Sequence, residues 1–345
     1  MGNDNINNTT PSDGIFRRRS WRLFWLVGVA GAALALLLGF LFRDWLPGSW
    51  RSDDALDDPF PAGALADYVP EDSEAMLTVN LRTLLESPVG QRMKPSLQQL
   101  VQRGERQFRW MDLLGIKPFD DLDSLQISFA PGSGGQPLWL ARGRLDRSRF
   151  QIGPDKLQTK TIEHFRVWEY ADRQRNQTTL LAPVGDALVV SDTPSRVLAA
   201  LHQASHPRSV VIRDVTLREL LAKVDRRQSL WLAASFKQLG PVARIDNVLL
   251  EMILRPLFTH ADSVHGGLTC AEDIRAELHF HTPTEESAAK LEEDLNAICG
   301  SAEGVSLFVR KELLPLLHLL SSGQTSREGK TVSLRCRLAA DQFGG

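Results

Sequence analysis

Three histidines and one carboxylate are the residues of this chain whose types and spacing best fit chemistry. In Ile274-Arg275-Ala276-Glu277-Leu278-His279-Phe280-His281 apolar and polar residues alternate. A strand with that pattern puts Ile274, Ala276, Leu278 and Phe280 on one face and Glu277, His279 and His281 on the other. A three-residue turn at 271–273 pairs Cys270 with Ile274, keeps the apolar faces together and sets His265 opposite His279. Three imidazoles and a carboxylate form a zinc-type ligand set. They lie on flat strands, however, and the sequence offers none of the orienting partners that metal-bound histidines have. The expectation is therefore a polar sheet face without metal or cofactor, with His265, His279, His281 and Glu277 as the candidates should a metal bind.

Other motif fragments fail on their context. Gly329-Lys330-Thr331 resembles the end of a phosphate-binding loop, but that loop needs a glycine where Gln324 stands. An alternating strand follows it, so no helix N-terminus faces a phosphate. Ser287-Ala288-Ala289-Lys290 has the Ser-x-x-Lys spacing of penicillin-recognising enzymes, yet Lys330-Thr331 is followed by Val332, not the glycine of the partner motif. Asp120, Asp121 and Asp123 lack the glycine and terminal glutamate of a calcium loop. No catalytic residue is assigned.

The elements that position these residues read as α+β. Ala75–Leu81 is a strand, and helical spacing over Thr83–Leu114 is broken near Pro88 and Pro95. Leu125–Phe129 and Pro137–Leu145 form a hairpin across a glycine-rich turn, and a strand follows over Thr159–Tyr170. Gly185-Asp186 joins two further strands, and Asp192-Thr193-Pro194 opens a helix. The second half repeats the plan. Ser229–Phe236 stands where Ala75–Leu81 stood, Asp262-Ser263-Val264 opens a hairpin as Asp123-Ser124-Leu125 does, and Thr284–Ile298 is a helix. A last helix covers Leu313–Leu320, and Gln324–Ala339 closes the chain as a hairpin turning at Glu328-Gly329.

Location is read from a different segment. Leu23–Phe42 is 20 residues without a charge, long enough to cross a bilayer core once as a helix. Arg17, Arg18, Arg19 and Arg22 precede it, and Asp53, Asp54, Asp57 and Asp58 follow. Basic residues stay on the cytoplasmic side, so the N-terminus is expected inside and the body outside, in the periplasm. The run is longer than a signal-peptide core and no small-residue cleavage site follows it, so the anchor is expected to stay. The net charge of −2 gives no general basis for nucleic-acid binding. Cys270, Cys299 and Cys336 each sit among aliphatic residues at strand or helix spacing and read as core thiols.

The expected organisation is a cytoplasmic segment over 1–22, a transmembrane helix over 23–43, an acidic proline-containing linker over 44–66, and two similar α+β units with antiparallel sheets at 67–208 and 209–345. Three phrases carry a resemblance: Leu114-Gly115-Ile116-Lys117-Pro118 leading to Leu122-Asp123-Ser124-Leu125; Gly185 to Asp192; and Arg327 to Val332. They resemble a loose group of N-terminally membrane-anchored proteins of planctomycete-type bacteria. The group has no assigned activity, and the resemblance implies an anchored extracytoplasmic module. The expected role is non-catalytic binding or scaffolding at the cell envelope, with the bilayer held through residues 23–43 and an unknown envelope protein or ligand as partner. The alternatives are an envelope hydrolase with its site between the units and a carrier of lipid or peptidoglycan.

Overall fold

Residues 69–103, 109–130, 137–145, 157–172, 177–205, 212–236, 255–305 and 314–339 are described by the computed structural model. The expected anchor and linker lie outside these residues. Among the described residues, no helix is long and apolar enough to cross a membrane.

Among the described residues, short runs, most of them alternating or apolar, form twelve strands. The first seven are β1 (Ala75–Val79), β2 (Leu122–Phe129), β3 (Leu138–Gly143), β4 (Leu157–Ile162), β5 (Phe165–Asp172), β6 (Gln177–Val184) and β7 (Ala187–Ser191). The remainder are β8 (Leu230–Ser235), β9 (Ser263–Cys270), β10 (Ile274–His281), β11 (Gln324–Glu328) and β12 (Thr331–Leu338). All pair antiparallel in one sheet, ordered β11-β12-β10-β9-β8-β1-β2-β3-β7-β6-β5-β4. Separate sheets for the two halves, as the sequence suggested, are replaced by this single one. The first strands of the halves, β1 and β8, bond to each other with Leu77 opposite Leu232. Both are short and apolar, and pairing them removes two unsatisfied sheet edges. Outward from this seam the order is β2, β3, β7, β6 on one side and β9, β10, β12, β11 on the other.

The main core lies on one face of the sheet. Leu77, Ile127, Leu232, Val264, Phe280 and Val332 contribute from the strands. Helices α1 (Leu81–Glu86), α2 (Pro88–Arg103), α3 (Arg109–Leu113), α7 (Glu285–Val305) and α8 (Leu314–Ser321) contribute apolar faces against them. A single turn, α4 (Pro118–Asp121), leads into β2. The opposite face carries two smaller clusters. Helix α5 (Pro194–Ser205) covers β3, β6 and β7, and α6 (Val215–Lys223) covers the seam.

Two local expectations change. The helical stretch breaks at Ser87, where Pro88 takes the first position of α2, but α2 then runs on through Pro95. The single strand expected over Thr159–Tyr170 is a hairpin, with Glu163 and His164 as its turn. Neither residue is a usual turn former, and Glu163 adopts φ 56°, so local sequence gives no warning. Its carboxylate is 2.7 Å from His202 of α5, which ties the turn down.

All three cysteines are buried free thiols. Cys336 faces the main core beside Val332, Leu334 and Leu338. Burial, with Cys299 nearby, pushes its thiol up to about 12, so it stays protonated. Cys336→Ser is expected to cost roughly 1–3 kcal/mol, because a hydroxyl there lacks a partner. Urea unfolding measures it, and an unchanged midpoint would mean that the face is assigned wrongly.

Candidate functional site

Strand register assembles the candidate residues in rows across the face opposite the main core. Met76, Ala233, His265, His279 and Ser333 are successive partners from β1 through β8, β9 and β10 to β12. In the next row Ser235, Ser263, His281 and Thr331 are partners. The Ser235 amide donates to the Glu74 carbonyl at 2.8 Å, which extends this row to Glu74. On the other side run Thr78, Trp231, Gly267, Glu277 and Arg335. Directly opposed residues share a face, so the turn at 271–273 brings the three histidines and Glu277 together as the sequence predicted.

His265 is in contact with both other imidazoles. The His265 ring centroid lies 4.9 Å from that of His279 and 5.1 Å from that of His281. His281 Nε2 and His265 Nδ1 are 3.2 Å apart, a hydrogen bond in which one ring donates to the other. His279 Nδ1 is 2.8 Å from the Ser333 hydroxyl and His281 Nδ1 is 3.2 Å from that of Thr331. These two hydroxyls are the ring-orienting partners that sequence reading did not find, because they arrive on a strand fifty or more residues away. Glu277 lies 3.5 Å from His279 Nε2, and Arg335 Nε donates to it at 2.8 Å. The ring nitrogens thus meet one another, two hydroxyls and a carboxylate. Among the described residues, no group of three His, Cys, Asp or Glu side chains is placed to hold a metal ion.

The environment disfavours the charged form of each ring. His265 is 7% exposed, and burial, the two neighbouring rings and Lys223 lower its pKa to about 4. His279 is lowered by burial first, with Glu277 opposing and Arg335 and Lys223 adding to the effect. His281 is lowered by burial, Lys223 and His279.

Glu74 brings a titration of opposite sense to the same face. It is 6% exposed, and burial, then Asp214 and Asp72, raise its carboxyl to about 7. Its Oε2 and the Ser235 hydroxyl are buried without a hydrogen-bond partner among the described residues. Arg196 of α5, 2% exposed, donates to the Ser128 carbonyl at 3.1 Å and to the hydroxyls of Ser128 and Ser73 at 3.2 and 3.3 Å. Its Nη2 is 3.9 Å from Asp72, and burial lowers it to about 10. Neither Glu74 nor Ser235 stands out in the sequence as a candidate residue. The available signal was alternation: Glu74 continues Met76 and Thr78, and Ser235 continues Trp231 and Ala233. Only the pairing of β1 with β8 shows that these two sets share a face.

Helix α6 lies over this ground. Asp214 caps it by accepting from the Leu217 amide at 2.8 Å. Leu217, Leu220 and Leu221, at helical spacing, pack on Val69, Met76, Trp231 and Ala233. Its two ends carry the charges already named, Asp214 toward Glu74 and Lys223 toward the imidazoles. The chemistry available here is proton uptake and release, by Glu74 near neutrality and by His265 in acid.

The chain matches no protein-family model, no curated protein and no solved structure.

Proposed function

We propose that this is a single-pass membrane protein whose α+β body lies outside the cytoplasm and acts as a non-catalytic binding or scaffolding unit of the cell envelope. The observation that carries the reading is the uncharged run Leu23–Phe42 with four arginines just before it and an acidic stretch after it. Such a run matches the thickness of a bilayer core, and the arginine bias orients it with the N-terminus in the cytoplasm. The body is read as two related α+β units, 67–208 and 209–345, fused through β1 and β8. The strand order outward from the seam supports this, since β1, β2, β3, β7 and β6 correspond to β8, β9, β10, β12 and β11 in both order and direction. The helices are less alike: α7 and α8 precede β11, whereas β4 and β5 precede β6 and α5 follows β7. The partners are the bilayer, through residues 23–43, and an envelope protein or ligand that the body holds.

Protease added to intact spheroplasts is expected to degrade the body without detergent and to leave a short protected N-terminal fragment. A body that survives until detergent is added refutes the orientation. A mature N-terminus beyond Phe42 refutes the anchor.

A further inference from the structure

We propose that α6 is a latch over the sheet face that carries Glu74 and the imidazoles, and that it stays docked there from mildly acidic to neutral pH. Two geometric facts and one electrostatic one carry this. First, α6 docks through a satellite cluster of nine buried residues, separate from the main core. Small, separate clusters are where local opening occurs before global unfolding. Second, the cluster is continuous with both titrating sites. Met76 and Ala233 stand in the same cross-strand row as His265 and His279, and the next row joins Ser235 to His281 and reaches Glu74. Third, the charges at the ends of α6 repel what titration creates beneath them. Asp214 at the N-cap faces Glu74, and Lys223 in the last turn faces the three imidazoles.

The charged groups around each site leave these repulsions only partly offset. Around the imidazoles, Glu277 of β10 opposes Lys223 of α6 and Arg335 of β12, while Arg335 already pairs with Glu277. Around Glu74, Asp72 and Asp214 are both acidic, and Arg196 of α5 approaches Asp72. The chain entering α6 is fastened separately, by the Arg213 amide donating to the Glu71 carbonyl at 2.7 Å and by an ion pair between the Arg213 and Glu71 side chains.

The two titrations oppose each other. Buried Glu74 holds its proton, so docking weakens as pH rises from the ordinary 4.5 through about 7. Buried His265 refuses a proton, so docking weakens as pH falls from the ordinary 6.5 through about 4. The windows overlap, and the losses largely offset one another in the intact chain. Removing either site exposes the other.

Hydrogen exchange of the full-length chain tests this, read as protection factors over residues 217–224 between pH 4.5 and 7, with α7 as reference. In Glu74→Gln, protection of α6 is expected to rise with pH by at least about tenfold, the equivalent of one pKa unit. In His265→Asn/His281→Asn it is expected to fall with pH by about tenfold. Lys223→Gln changes only an exposed side chain and leaves the core untouched. It is expected to tilt the profile in the same direction as the histidine variant, and it keeps the test open if that variant misfolds. Profiles that tilt the same way in the glutamate and histidine variants overturn the proposal. So do profiles indistinguishable from wild type, and losses of protection shared equally by α6 and α7.

Discussion

In Leu77→Ala, strands from both halves of the sheet are expected to lose protection together, at a denaturant midpoint well below that of the wild type. Leu77 is 2% exposed and faces Leu232 across the β1–β8 seam, with Ile127 opposite it on β2. Truncation removes buried methyl groups and leaves a cavity where the halves join, at a cost of roughly 2–5 kcal/mol. The seam is backbone ladder as well as side-chain contact, so the loss propagates both ways. Urea unfolding followed by amide exchange in β3 and β10 measures it. Loss confined to β3 would mean that the halves unfold independently and that the seam does not couple them.

Gly266→Ala is expected to be more damaging than its single methyl group suggests. Gly266 lies in β9 between His265 and Gly267, with φ +142°. A Cβ there would sit 2.1 Å from the Glu277 carbonyl oxygen and 2.9 Å from Leu278 Cα. Both are backbone atoms of β10 and cannot swing aside. Backbone strain and the broken pairing together are expected to cost roughly 3–5 kcal/mol. The same change should separate His265 from His279, whose register depends on this pairing. Gly300→Ala is the internal control. It lies in α7 with nothing within 4 Å of the added Cβ, and it is expected to gain roughly 0.5–1 kcal/mol from helix propensity. Thermal or urea unfolding of the two variants decides the matter, and equal midpoints would show that β9 and β10 can move apart freely.

Properties that depend on neighbours along the chain were legible in the sequence for the histidine hairpin and for the cysteines. Alternation over Ile274–His281 and the short turn at 271–273 put the three histidines on one face, because side-chain direction in a strand repeats every two residues. The same periodicity placed Cys336 and Cys270 in the core. Helix α6 was not among the predicted elements, although Asp214 and the spacing of Leu217, Leu220 and Leu221 are local signals for it.

Wherever a property depends on which strand lies next to which, the tertiary structure alone decided it. The β1–β8 seam joins residues more than 150 positions apart and turns two expected sheets into one. It is the seam that places Glu74 in a row with Ser235, Ser263 and His281, and β12 that delivers Ser333 and Thr331 to the imidazoles. The hairpin at Glu163 likewise turns on residues that do not favour a turn, and a contact with His202, distant in sequence, accompanies it. The physical reason is common to all of these. Period and capping are local and are written in the order of residues, whereas the desolvation and charge that set Glu74 and His265 in opposite directions come from atoms that only folding brings within reach.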